Sequence, residues 1–288
     1  LLYAFRYFHL ESGLLAFVIP QNLNRTFNTF VTNLDVLMLG YFGLKPEAIG
    51  FYGIGAQIVR NIREIKLAFA GSYAPVIVRQ HKAGDSIGMG GTMTTVSRWI
   101  ISIALPVAIV IGILRQDLLL LFHATFTSDA SFMLFLLIPP LLSCSFGLAG
   151  NVVVMSGYSL VNLGNSVFVA AGTLLFNALL IPRFGLTGAA MATMLASILI
   201  TLLQLVEARY LIGVRMDWPQ LKSPYLAALP AALFLAVLPP TAELALRLAE
   251  AMLSIGVYAV LLARLSPDKA YRQVLSSVFT QSPKQRGQ

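Results

Sequence analysis

The sequence predicts an all-α fold, a polytopic transmembrane helical bundle of about eight spans. Three observations carry this. Of its 288 residues, 57% are hydrophobic and only 11% charged, against roughly a quarter charged in a globular domain. The mean hydropathy is +0.79. Residues 130–182 and again 184–206 contain no Asp, Glu, Lys or Arg, whereas one bilayer crossing takes about 20 apolar residues. A soluble core has no use for several such runs in succession.

In chain order, the aromatic stretch 1–12 reads as an interfacial segment or the end of a preceding helix. The chain begins with Leu1 rather than Met, which points to a larger parent protein and leaves a leader peptide unjudged. Spans are expected near 13–42, 47–78, 92–114, 130–156, 159–182, 186–210, 225–240 and 242–265. The first two are divided by Gly43-Leu44-Lys45-Pro46-Glu47, where Pro46 and Glu47 suit a helix first turn. Ser156-Gly157-Tyr158, Pro182-Arg183-Phe184-Gly185 and Pro239-Pro240 punctuate the later apolar runs. Residues 267–288 form a polar tail. Pro20, Pro75 and Pro106 fall inside spans and mark kinks or hinges.

Orientation follows from the cations between spans. With eight spans both ends share one side. That side carries Arg6, Arg79, Lys82, Arg209, Arg215, Lys222, Arg264, Lys269, Arg272, Lys284 and Arg286; the opposite connectors carry only Lys45, Arg115 and Arg183. The positive-inside rule therefore places both ends in the cytoplasm.

The first span holds a polar stripe. Gln21, Arg25, Asn28, Thr32 and Asp35 recur at spacings of four, three, four and three, which places them on one helix face. Leu23, Phe27, Phe30, Val31 and Leu34 occupy the other. Polar groups inside a bilayer are costly and face a protein interior or a hydrated path, so Arg25 and Asn28 are candidate cavity residues. Arg25 and Asp35 are about 15 Å apart along a helix and cannot pair with each other. Asp35 either couples transport to an ion or caps a helix end near the membrane surface, and the residues alone do not choose between these.

The second span holds the other candidate group: Gln57, Arg60, Arg63, Glu64 and Lys66. Gly53, Gln57, Arg60 and Glu64 form one row, with Arg63 and Lys66 beside it and Asn61 on the other side. A cation at a helix centre costs about 2.5–3.5 kcal/mol on insertion scales. Glu64 alone cannot neutralise three cations. The group therefore reads as a cationic cavity for phosphate, which the planar guanidinium fork binds in bidentate fashion. The competing reading is an internal ion-pair network with Lys66 snorkelling.

Other charged residues carry less. Arg98 is expected to snorkel at the cytoplasmic start of its span, and Glu243, Arg247 and Glu250 suit local ion pairing. His9, His81 and His123 are isolated, no spacing resembles a metal site, and no cofactor is called for. Cys144 stands alone and forms no disulfide within the chain. Gly50-Phe51-Tyr52-Gly53-Ile54-Gly55 lacks the order of a nucleotide loop and better suits close helix packing. The connectors hold no interleaved basic and aromatic module, which excludes nucleic acid as a partner.

Two stretches resemble the polysaccharide, or lipid-linked oligosaccharide, flippases of the MOP exporter superfamily. The first is Asn33-Leu34-Asp35-Val36-Leu37-Met38-Leu39-Gly40-Tyr41-Phe42, followed by Ile49-Gly50-Phe51-Tyr52, Ala74-Pro75 and Gly84-Asp85. The second, more specific, runs from Met155-Ser156-Gly157-Tyr158 through Asn177 and Leu180-Ile181-Pro182-Arg183-Phe184-Gly185-Leu186-Thr187-Gly188-Ala189-Ala190-Met191-Ala192-Thr193. The resemblance implies that 13–210 is the six-helix C-terminal lobe of such a transporter, that 211–266 adds two helices, and that 267–288 is a cytoplasmic tail. It further implies a partner N-terminal lobe, the cytoplasmic (inner) membrane as location, and no enzymatic activity.

The expected function is translocation of a polyprenyl-pyrophosphate-linked oligosaccharide for cell-surface polysaccharide, such as lipopolysaccharide, by alternating access. Arg60, Arg63 and Lys66 suit that substrate on chemical grounds and belong to no family motif. A cation-coupled multidrug exporter of the same superfamily is the nearest alternative, though a cationic drug calls for an acidic cavity. A membrane-embedded glycosyltransferase or polymerase would need clustered acids near the interface, which the short connectors lack. A non-transporting scaffold would leave the intramembrane cations unexplained.

Overall fold

A computed structural model of the chain describes residues 22, 29, 31–122, 130–237 and 244–265. Among these the secondary structure is entirely helical, in ten elements. They are α1 (Leu34–Tyr41), α2 (Pro46–Arg60), α3 (Arg63–Lys82), α4 (Ser86–Ile113), α5 (Arg115–Leu120), α6 (Phe132–Phe146), α7 (Leu148–Met155), α8 (Ser159–Leu211), α9 (Trp218–Val237) and α10 (Leu244–Leu265). Three described helices are long and apolar enough to cross a membrane, or four if the bent pair α6–α7 counts as one span. With no water in the hydrocarbon to satisfy backbone groups, apolar segments of this length close their hydrogen bonds internally as helices. The chain is an all-α, polytopic helical membrane protein.

The punctuation read from the sequence sets most boundaries. Lys45 is extended at φ −60° and ψ 140°, and Pro46 opens α2 with Glu47 in its first turn. Asp85 caps α4, its Oδ1 accepting from the Gly88 N–H at 2.8 Å. The break at 182–185 is a change of direction within α8: Gly185 alone leaves helical geometry, at φ 56° and ψ −127°, a conformation that favours glycine. Residues 159–182 and 186–210 thus form the two arms of α8. Pro75 and Pro106 lie inside helices that continue through them.

Two expected spans are broken. The second divides into α2 and α3 at Asn61–Ile62. The fourth bends by 50° between α6 and α7 at Gly147. A Cβ on Gly147 would sit 2.4 Å from the Ser143 carbonyl oxygen and 2.8 Å from Lys66 Nζ, so this bend needs the missing side chain. The third and seventh expected spans begin earlier than the hydropathy suggested, at Ser86 and Trp218.

α8 is the organising element, packing against α1, α6 and α7, while α4 sits between α3, α6, α9 and α10. The buried core includes Tyr52, Phe51 and Phe132; Phe132 meets Phe51 edge-on at 5.5 Å and stacks on Tyr52 at 5.4 Å. Gly55 admits this ring, since a Cβ there would lie 3.0 Å from it. One polar expectation changes here. Arg98 is 3% exposed, so it is enclosed by protein and does not snorkel. Arg247 pairs across helices with Asp117 at 2.9 Å; Glu243, one of the sequence neighbours expected to pair with it, lies outside the described residues.

Candidate functional site

A cavity of about 680 Å³ opens between α1, α2, α3, α6, α7 and α8. One wall is cationic: Arg60 from the end of α2, and Arg63 and Lys66 from the start of α3. A local backbone feature aligns these three. Between α2 and α3 the hydrogen bonds tighten to three-residue steps, with Ile62 N donating to Val59 O at 3.2 Å, Glu64 N to Asn61 O at 3.0 Å and Ile65 N to Ile62 O at 3.2 Å. In such a 3₁₀ turn residues three apart eclipse one another. Arg60, Arg63 and Lys66, at spacings of three, are thereby brought to one wall.

The same step corrects two of the expected cavity residues. On an uninterrupted helix Gln57, Arg60 and Glu64 would share a face; the tightened turn rotates Glu64 away, where it is exposed and off the cavity wall. Gln57 also lies off the wall and acts through Arg60, whose Nη2 donates to Gln57 Oε1 at 3.2 Å. Arg60 Nη1 donates to the Thr32 carbonyl at 3.3 Å, tying α2 to the first span. Lys66 Nζ donates to Ser143 Oγ at 3.2 Å. Among the described residues none of the three cations forms a salt bridge with a carboxylate. Among the described residues, the ion-pair network that competed with the ligand reading has no salt bridge on this wall.

Of the first-span stripe, Thr32 and Asp35 line the cavity. Gln21, Arg25 and Asn28 lie outside the described residues. Asp35 is 3% exposed, which removes the reading as a water-exposed cap. Its Oδ2 accepts from the Tyr52 hydroxyl at 2.7 Å and its Oδ1 from the Val36 N–H at 2.9 Å.

The rest of the lining includes many uncharged polar side chains. α8 contributes Asn162, Ser166, Thr173, Thr193, Ser197, Thr201 and Gln204, while α6 adds Ser143, beside Lys66, and α7 adds Asn151. Gln204 reaches the wall because Gly150 opposite has no side chain; a Cβ there would fall 2.6 Å from the Gln204 amide. Asn151 Nδ2 donates to the Tyr73 hydroxyl at 2.5 Å. Reading for charge missed this wall. Its signal was present, because Thr193, Ser197, Thr201 and Gln204 recur at four, four and three, and Asn162, Ser166 and Thr173 at four and seven.

The arrangement defines a class: a membrane protein with a cleft between its helices, lined by three cationic side chains together with hydroxyls and amides. No protein-family model matches the chain, and no curated protein matches it. A solved structure described as the outward-facing conformation of a multidrug resistance MATE family transporter of the MOP superfamily is similar at a TM-score of 0.48 and 13% sequence identity, over 91% of this chain and 66% of that one. The chain thus spans just under two thirds of the length of that transporter.

Proposed function

We propose that this chain belongs to a transporter that flips a lipid-linked oligosaccharide carrying a pyrophosphate, with the anionic linkage on Arg60, Arg63 and Lys66 and the sugars against α8. The observation that carries the reading is the cationic wall itself: three cations, without carboxylate partners among the described residues, lining one cavity together with uncharged polar groups. Unpaired cations are too costly in a bilayer to be retained without a counter-charge or water, and a pyrophosphate supplies the counter-charge. Polyprenyl tails would remain in the bilayer while the polar part crosses by alternating access, with a second helical lobe closing the far side of the cleft.

A cationic drug fits this cavity poorly, since among the described residues its lining holds one carboxylate, Asp35, against three cations. The test is a reconstituted or cell-based flipping assay. Arg60→Gln, Arg63→Gln and Lys66→Gln combined should abolish transport of the lipid pyrophosphate; undiminished flipping sinks the assignment. We further propose Asp35, buried and held by Tyr52, as the residue that links transport to an ion gradient. An Asp35→Asn variant should lose gradient dependence, and one that keeps it rules this role out.

A further inference from the structure

The polar wall of α8 has a property that its residue types alone do not reveal. Thr193 Oγ1 donates to the Ala189 carbonyl at 3.1 Å, Ser197 Oγ to the Thr193 carbonyl at 2.8 Å and Thr201 Oγ1 to the Ser197 carbonyl at 2.7 Å. On the first arm of α8, Thr173 Oγ1 does the same to the Val169 carbonyl at 2.8 Å. All four side chains line the cavity. A hydroxyl has one proton and two lone pairs. With each proton turned back onto the helix, the row is left with lone pairs to offer, and Thr193 also lies within hydrogen-bonding reach of the buried Tyr52 hydroxyl. Successive members of Thr193, Ser197 and Thr201 are four residues apart, about 6 Å along the axis, so the row runs about 12 Å down the wall. The Arg60, Arg63 and Lys66 part of the lining has the opposite character, because ammonium and guanidinium groups donate and never accept.

We propose that the α8 hydroxyls form an acceptor-only track that selects the neutral part of the cargo by its hydrogen-bond donors. This rests on the anionic-lipid reading above and narrows it. The groups facing α8 are free sugar hydroxyls or amide N–H groups. A sugar carboxylate, or a sugar with its hydroxyls blocked, is disfavoured against these hydroxyls, because acceptor would meet acceptor, and only the Asn162 and Gln204 amides of α8 would offer it donors. The cavity thus sorts its ligand by polarity, with acceptors toward α2–α3 and donors toward α8, and this fixes the direction in which the head group lies.

Equilibrium binding to the purified full chain in lipid nanodiscs tests this with three probes: a short-chain polyprenyl pyrophosphate without sugar, the same lipid bearing a neutral disaccharide, and that glycolipid with fluorine replacing the sugar hydroxyls. Fluorine is close to a hydroxyl in size and donates nothing. The fluorinated probe should bind the parent about tenfold or more weakly than the hydroxylated one, the loss expected from several neutral hydrogen bonds. In Thr193→Val/Ser197→Ala/Thr201→Val the two sugar probes should bind within about twofold of each other, while the sugarless lipid binds as it does to the parent. Thr193→Ser/Thr201→Ser, which keeps every acceptor, should restore the discrimination; a purely structural role for these hydroxyls would not tie them to the probe's donors. Should the triple variant fail to fold, Ser197→Ala alone should shrink the penalty by about threefold. An equal fluorine penalty in the parent and in these variants, or none in the parent, overturns the track. Failure of the sugarless lipid to bind, or binding that ignores Arg60→Gln/Arg63→Gln/Lys66→Gln, overturns the anionic-lipid reading itself, and the track with it.

Discussion

Replacing Arg63 should separate binding from stability. Arg60 is braced by two hydrogen bonds and Lys66 by one, but Arg63 hydrogen-bonds to nothing among the described residues and has Arg60 as a like-charged neighbour. If the cation were structural, Arg63→Gln would cost stability. If it waits for an anion, the substitution removes the repulsion from Arg60, which Glu64 partly offsets and solvent screens at this exposed side chain, and the ligand-free protein should stay within about 1 kcal/mol of the parent. A charge-assisted hydrogen bond is worth about 1.5–3 kcal/mol, so affinity for a short-chain polyprenyl pyrophosphate should fall about 10- to 150-fold. Thermal unfolding in nanodiscs reads both effects. At 100 times the parental Kd, ligand should stabilise the parent by about 2.7 kcal/mol. A variant bound tenfold more weakly should gain only about 1.4 kcal/mol under the same conditions, from the same linkage relation. A ligand-free Arg63→Gln protein that is destabilised by more than about 1 kcal/mol, with an unchanged ligand-induced gain, refutes the reasoning.

Two further outcomes follow from the packing. Arg247→Ala should lower the unfolding free energy by about 2–3 kcal/mol by stranding Asp117, at the mild end for a partly buried pair; Arg247→Met with Asp117→Leu should recover most of it, and equal losses in both variants would discount the 2.9 Å pair. Tyr52→Phe leaves Asp35 Oδ2 without its 2.7 Å donor in a site 3% exposed and should cost about 1–3 kcal/mol. Tyr52→Phe in an Asp35→Leu background should cost less, and additive effects in the double-variant cycle would show that the two side chains are uncoupled.

The path from residues to site was partly open to reading along the chain. The three cations stood out because charge in an apolar run has a large cost whatever the fold. Their joint orientation did not, because it depends on three hydrogen bonds that tighten one turn at Asn61–Ile62, and no side-chain pattern announces a local change from 3.6 to 3.0 residues per turn. Glu64, expected in the cavity, lies off its wall after that turn, whereas Lys66 lines it as expected. The α8 hydroxyls carried a period but no charge, so their pattern resembled ordinary helix-packing residues until the cavity showed which way they face.

By itself, the sequence determined that this is a helical membrane protein, where most of its helices begin and end, and which polar side chains are too costly to be incidental. These depend on local composition, because a backbone without water must satisfy its own hydrogen bonds. Only the tertiary structure decided which faces meet. Lipid and protein interior are alike apolar, so hydrophobic periodicity does not distinguish them; Arg98 could be read as snorkelling and proves enclosed, and Arg247 finds its carboxylate 130 residues away in Asp117. The chemistry of the cavity, charged donors and spare lone pairs in one lining, arises only where α2, α3 and the two arms of α8 are brought together around one space.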